Sequence, residues 1–268
     1  MTVSASSPGD VDSVAHLVVV PELLVGQRDL YQLDDVNAHH LHRVLRVRAG
    51  ELVTLTDGFG AWVTTVVDDV SRPGVLRHVD GVFRADRPVP GLEVGFALTK
   101  AEKPEWVIQK LTELGITAVV PLMAERSVVR WEADRAAKNV ARFHAIAREA
   151  IQQSRQIWLP TLHSPQNLTD FAGNRHAESY ARCDRGGGAL DDFFRQATAA
   201  GRSREVDGAV AGTTVSLVVG PEGGWSPRER EVVPTAVELV ASVLRAETAA
   251  FVAGALLVES RRRFRAPS

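Results

Sequence analysis

LVVGPEGGWSPRE, residues 217–229, decides the fold of this chain. A β-branched apolar run enters a glycine-rich turn, and the turn opens a helix. Ser226, Pro227 and Glu229 make the helix start: an N-cap hydroxyl, a proline at the first helical position and the acid of a capping box. Strand, glycine turn and helix together are the repeating unit of an open α/β sheet, whose ligands bind at the carboxyl ends of the strands. Gly220, Gly223 and Gly224 let a ligand approach the backbone closely. Glu222 offers a carboxylate to a ribose hydroxyl, to a cation or to a structural hydrogen bond. A tight turn without a ligand fits the same residues. The patterns GxxxxGK[ST], GxGxxG and GxSxG are absent from the chain, which removes the phosphate loop, the dinucleotide fingerprint and the nucleophile elbow.

The flanking sequence continues the α/β rhythm. LEVGFAL (92–98), AVVPLM (118–123), VSLVVG (215–220) and VELV (237–240) read as strands. Pro104 opens a helix with Val107, Leu111 and Leu114 as its apolar stripe and Gly115 at its end. Residues 133–153 form a long helix with Ala136, Val140, Phe143, Ala147 and Ala150 on one face. VLRAETAAFVAGALL (243–257) leads from a strand into an alanine-rich helix over 248–264, with Thr248 as its expected cap. Its small residues permit very close packing, which suits a ligand wall and a plain core helix alike. Such alternation implies a parallel sheet covered by helices. Residues 161–212 are weakly patterned: GGG (186–188) and GRSREVDG (201–208) read as loops around a helix near 190–199.

The amino-terminal part differs. LVVV (17–20), ELVTLTD (51–57), AWVTTVV (61–67) and VLRHVDGVF (75–83) are short and β-branched, separated by turns such as DGFG (57–60) and SRPG (71–74). A small barrel or sandwich suits that pattern. RPVPG (87–91) is a natural linker, so the expected domains are 1–88 and 89–268.

Net charge is −2, from 31 basic and 33 acidic residues. That excludes gripping nucleic acid by bulk positive charge. Residues 1–88 carry 8 basic and 12 acidic side chains, residues 89–160 carry 10 and 8, and residues 161–268 carry 13 each. Any nucleic-acid surface must come from local clusters. AHHLHRVLRVRAGE (38–51), taken as an α-helix, places His39, His42, Arg43 and Arg46 on one face and Leu41, Val44 and Leu45 on another. That basic face suits phosphate contact or simple solvation; a metal site there lacks a third ligand. Lys100, Lys103 and Lys110 fall close together, followed by Arg126, Arg130, Arg142, Arg148 and Arg155, with Gln152, Gln153 and Ser154 at a helix end. These groups suit a base edge or phosphates, or a helix carboxyl end set against its dipole.

The single cysteine, Cys183, admits no internal disulfide, and a reducing, cytoplasmic setting follows. The apolar run TAAFVAGALLV (248–258) is shorter than the ~20 residues a bilayer requires.

Taken in order, HHLHRVLRVRAGE, DGFGAW, KAEKPEWVIQKLTELGI, ERSVVRW, EAIQQS, LVVGPEGGWSPRE and VLRAETAA resemble the 16S ribosomal RNA uracil-N3 methyltransferases (the RsmE type) of the SPOUT superfamily. The resemblance implies an amino-terminal PUA-like β-barrel that binds RNA, followed by a SPOUT α/β domain with a deep carboxyl-terminal trefoil knot. It implies a homodimer that uses S-adenosylmethionine to methylate N3 of one uridine in 16S ribosomal RNA of the small subunit, with no metal and no membrane. Leu217, Val219, Gly220, Pro221, Glu222, Gly223 and Gly224 would form one wall of the cofactor pocket. Leu244, Arg245, Ala246, Glu247, Thr248 and Ala249 would form the other. Arg155, Arg245 and Glu247 are the expected catalytic groups. His39, His42, Arg43, Arg46, Lys100, Lys103, Arg126, Gln153, Ser154 and Arg155 are the expected RNA contacts. Where the family has Leu-Gly before its VLR, this chain has Leu239-Val240. A non-catalytic ribosome-assembly protein on the same fold, and a SPOUT methyltransferase with another RNA target, are the competing functions.

The charge balance carries its own prediction. Binding to naked RNA is expected to be weak at physiological salt, and an assembled particle preferred. Filter-binding titrations against free RNA and against small ribosomal subunits will test this; tight, sequence-indifferent binding to short RNA contradicts it.

Overall fold

The computed structural model describes residues 16–20, 28–99, 103–202 and 213–265. The chain divides into two compact units. Residues up to Arg87 together with Arg148–Leu159 make the first, and Pro88–Ala147 with the chain from Pro160 onward make the second.

The first unit holds a six-stranded mixed sheet. Strand β1 (His16–Val19) runs parallel to β3 (Leu52–Thr56), which pairs antiparallel with β4 (Ala61–Val66). Strand β5 (Val75–His78) joins β4 to β2 (Leu30–Gln32), and the short β6 (Phe83–Arg84) also pairs with β4. The expected strand over 75–83 is therefore two, broken at Asp80–Gly81, where turn chemistry defeats a continuous ladder. Tyr31, Leu41, Val53, Leu55, Val63 and Leu76 fill one core cluster. Leu17, Val19 and Trp62 face a second cluster completed by Ile151, Ile157 and Leu159. That second cluster is why residues 148–159 belong to this unit. Gln152 reinforces it, its Oε1 accepting from the backbone N–H of Val19 at 3.1 Å.

The helix expected over 38–51 is not one α-helix. Asp34 caps the helix α1 (Asp35–His39), which passes into a π-helical turn, His40–Val44, closed by the Leu45 N–H donating to the His40 carbonyl. Arg46 then takes a left-handed backbone, φ 55°. The wider π turn breaks the 3.6-residue phase. Leu41 is buried, but Val44 is 59% exposed and Leu45 is also exposed, so the predicted apolar face does not form.

The second unit is built on six parallel strands in the order β12–β10–β11–β7–β8–β9. These are β7 (Gly91–Ala97), β8 (Ala118–Leu122), β9 (Thr161–Leu162), β10 (Tyr180–Ala189), β11 (Thr214–Val219) and β12 (Ala236–Glu238). Helices accompany the sheet: α2 (Lys103–Glu113), α4 (Leu168–Gly173), α5 (Leu190–Arg202), α6 (Pro227–Val232) and α7 (Ala246–Arg265), while α3 (Ala133–Ser154) begins in this unit and ends in the first. Every residue from Leu92 to Ala97 is buried along β7, as a strand covered on both faces requires. Helix α7 lies on β7 and α2. Its small residues make that possible: Ala250 and Ala253 are fully buried, and a Cβ at Gly254 would fall 2.6 Å from the Leu111 side chain.

Two further expectations change. GGG (186–188) is part of β10, not a loop. The strand is bulged between Cys183 and Gly188, and at Gly187 a Cβ would lie 2.6 Å from the Val237 backbone. Glycine serves there because two backbones approach too closely for any side chain. Thr248 does not cap α7, which starts at Ala246 and leaves Thr248 inside its first turn.

At β7 a buried carboxylate holds three elements together. Glu93 is 3% exposed and takes both Nε and Nη2 of Arg175, at 2.7 and 2.6 Å, and the Ser216 hydroxyl at 2.7 Å. Removing one partner of a buried pair strands the other charge. Glu93→Gln is expected to destabilise the protein by about 3 kcal/mol, read as a lower urea midpoint with an unchanged m-value.

Candidate functional site

A pocket opens at the ends of β11 and β12 and beside the middle of β10, enclosing about 770 Å³ of space continuous with solvent. Its first wall is the turn after β11. Val219, Gly220, Pro221, Glu222 and Gly224 line it. Gly220 lies against the Trp225 indole, where a Cβ would come within 2.9 Å of the ring. Trp225 is buried and donates its Nε1–H to the Cys183 carbonyl at 3.2 Å, pinning the turn to β10. Gly224 has φ +68°, and a Cβ there would meet no atom within 4 Å.

The turn is also anchored from α6. Ser226 and Glu229 form the expected capping box: the Ser226 hydroxyl accepts from the Glu229 N–H, and Glu229 Oε2 accepts from the Ser226 N–H at 2.8 Å. Glu229 Oε1 accepts a third N–H, from Glu125, at 2.9 Å. The Arg126 guanidinium donates to the Gly223 carbonyl at 3.1 Å. The loop after β8 is thereby tied to the glycine turn through one buried carboxylate and one guanidinium.

The second wall comes from the segment after β12 and the start of α7. Leu244, Ala246 and Ala249 line the pocket, as do Glu238, Leu239, Val240, Ser242 and Val243. Val240 is not among the described side-chain-bearing residues with positive φ, so its backbone accepts a valine without strain. The third wall is the middle of β10, at its bulge, with Cys183, Asp184 and Arg185. Desolvation by burial, with Asp184 beside it, pushes the Cys183 thiol far above its ordinary pKa, so it stays protonated. Asp184 pairs with Arg230 at 2.9 Å and Arg182 at 3.3 Å.

Of the predicted wall residues, Leu217 is buried inside β11, and Gly223 carries the Arg126 contact; neither lines the pocket. Arg245, Glu247 and Thr248 sit at the start of α7 but outside the lining. Arg245 is exposed, and its carbonyl accepts from the Ala249 N–H. Glu247 meets Lys103 at 3.0 Å. Burial opposes its charge, but its own backbone N–H, Lys103 and Arg245 outweigh that and hold the carboxyl below the usual range. Sequence reasoning missed the β10 wall, whose signal (a GGG inside a strand) resembles a loop.

The predicted RNA contacts separate. His39, His42, Arg43, Arg46, Gln153, Ser154 and Arg155 belong to the first unit, Lys103 and Arg126 to the second. Lys100 lies outside the described residues. His39, Arg43 and Arg46 are exposed, whereas His42 Nε2 accepts from the Gly74 N–H at 3.2 Å. The Ser154 hydroxyl bonds the Ala150 carbonyl, and Arg155 has φ 55°. Of the catalytic set, Arg245 and Glu247 stand together in the second unit and Arg155 in the first.

The model of an RNA methyltransferase domain matches residues 86–258. Ribosomal RNA small subunit methyltransferase E of Mycobacterium bovis is 34% identical over 225 residues, covering 82% of this chain and 83% of that protein. The chain belongs to this methyltransferase family. The Bacillus subtilis member is 29% identical over 220 residues, covering 81% of this chain and 83% of its own. The Neisseria gonorrhoeae member, solved bound to S-adenosyl methionine, superposes with a TM-score of 0.72 at 27% identity, covering 90% of this chain and 96% of its own. A Legionella pneumophila methyltransferase in complex with the bound cofactor SAM gives 0.71 at 25% identity, covering 91% of this chain and 96% of its own. Among the described residues, no helix is long and apolar enough to cross a membrane and no cluster of ligating side chains could hold a metal ion.

Gly224→Arg drives a long side chain into the open space beside the turn. It is expected to abolish cofactor binding in calorimetry while costing the fold only about 1–2 kcal/mol for a side chain at positive φ.

Proposed function

We propose that the chain transfers the methyl group of S-adenosylmethionine to N3 of one uridine in 16S ribosomal RNA of the small subunit. The observation that carries this is the pocket at the ends of β11 and β12, walled by Gly220, Pro221, Glu222 and Gly224 and by the start of α7, in a chain with this family membership. The residues fit the cofactor. Val219, Leu239, Val240, Leu244 and Ala249 give apolar walls for a flat base and a thioether, while Glu222 and Glu238 offer acceptors to ribose hydroxyls and negative charge to a sulfonium. The cofactor supplies an activated, electrophilic methyl group when bound.

N3 of uracil carries a proton and must lose it before its lone pair can attack. Two roles follow for Arg245 and Glu247. Glu247 is a poor proton acceptor, because Lys103 and Arg245 hold its carboxyl low and ionised. It serves instead to hold Lys103 and the start of α7. Arg245, exposed beside the pocket, stabilises the uracil anion. Arg155 is proposed as a phosphate contact. N3 lies on the pairing edge, so the target base is unpaired or extruded.

The rest of the family architecture belongs to the same proposal: a PUA-like barrel in 1–88, a SPOUT domain in 89–268 knotted at its carboxyl end, a homodimer and a cytoplasmic setting.

Mass spectrometry of 16S RNA from cells lacking the gene should show the loss of one N3-methyluridine, restored by the wild-type chain. No loss, together with no thermal shift on adding S-adenosylhomocysteine, would favour the non-catalytic alternative. Arg245→Ala is expected to lower kcat by about a hundredfold or more while cofactor affinity holds. An unchanged kcat removes Arg245 from the chemistry.

A further inference from the structure

Phe59 stands at the tip of the turn between β3 and β4 and is 62% exposed, while Gly58 and Gly60 on either side are buried. The ring is not exposed through looseness. Asp57 Oδ1 accepts from the Phe59 N–H at 2.6 Å and from the Ala61 N–H at 3.0 Å. The Gly58 N–H donates to the Thr56 hydroxyl at 3.1 Å. From the other side the strap 157–159 laces the turn: the Gly60 N–H donates to the Ile157 carbonyl at 3.0 Å, and the Leu159 N–H to the Gly58 carbonyl at 2.8 Å. Gly58 and Gly60 have φ +76° and +91°, and a Cβ at Gly60 would lie 2.2 Å from the Trp158 ring. A phenyl ring is thus held outward by a turn that admits no other backbone.

The stretch beside the tip, residues 84–87, carries two arginines and one acid. The Ala85 N–H donates to the Gly60 carbonyl at 2.9 Å, which lays residues 84–87 beside the tip. Arg84 is exposed, and the Arg87 guanidinium lies 5.7 Å over the Trp158 ring. Asp86 is exposed on the same stretch, and the Asp57 carboxylate is taken up by the turn. One exposed ring beside a stretch with two arginines is too small for a protein hot spot, which is a cluster sealed by a rim. It matches a single unpaired base, whose π-face stacks on an aromatic side chain while arginines take the neighbouring phosphates.

We propose that Phe59 is a stacking platform for an unpaired base of the RNA, flanked by Arg84 and Arg87 on its phosphates. The proposal rests on the reading of the chain as an RNA methyltransferase. The test compares Phe59→Ala, Phe59→Leu and Phe59→Trp in the full chain, with small ribosomal subunits from cells lacking the enzyme as substrate. Phe59→Ala should raise KM for the subunits by about fivefold or more, with the effect in KM and not in kcat. Phe59→Trp should restore it. Phe59→Leu, which keeps apolar bulk without a π-face, should behave like Phe59→Ala. An unchanged KM in Phe59→Ala overturns the proposal, and so does a wild-type KM in Phe59→Leu, which would mark an apolar contact with a ribosomal protein. Retention of a single-stranded oligouridine on filters at low salt, a readout without turnover, compares the same variants. There too, equal retention by Phe59→Ala and wild type overturns the stacking role. A wild-type chain that fails to methylate subunits but loses oligouridine binding on Phe59→Ala would refute the proposed reaction and leave the platform standing.

Discussion

The buried carboxylate of Glu229 is the constraint on which the site depends. It accepts backbone N–H groups from Ser226 and Glu125, while its own N–H is taken by the Ser226 hydroxyl. Buried polar groups are tolerated only when paired, so these bonds are obligatory rather than ornamental. They fix the start of α6 and the loop after β8 relative to each other. The glycine turn has little choice once its far end is held: Gly220 seats against Trp225, Trp225 reaches Cys183, and the first wall of the pocket follows.

The second wall follows from a different physical demand. Helix α7 packs on β7 and α2 so closely that Gly254 is needed against Leu111, and Ala250 and Ala253 are fully buried. Close packing sets where the helix begins. Its first turn then sets Ala246 and Ala249 in the pocket wall, with Arg245 and Glu247 beside it, and Lys103 on α2 fixes Glu247. Small residues in the core of the second unit and charged residues at its rim are thus one arrangement, not two.

The first unit solves another problem. One face of its sheet is covered in part by residues distant in sequence. Ile151, Ile157 and Leu159 come from far along the sequence to close the cluster with Leu17, Val19 and Trp62. The same strap holds the turn that presents Phe59. Recognition by such local features is consistent with a net charge of −2, which leaves little bulk attraction for a polyanion.

Much was legible in the residues alone. The capping box at Ser226–Glu229, the strand before it, and the helix opened near Pro104 and ended by Gly115 all rest on local chemistry: caps, turn glycines and side-chain period. Local chemistry acts within a few residues, and so it is written in sequence order. Other features were decided only by tertiary contact. The GGG segment became strand because β12 lies against it, residues 148–159 joined the first unit because a sheet face needed covering, and the predicted amphipathic helix at 38–51 gave way to a π turn and a left-handed Arg46. Each depends on which distant surface arrives, and burial free energy belongs to the pair of surfaces rather than to either stretch of chain.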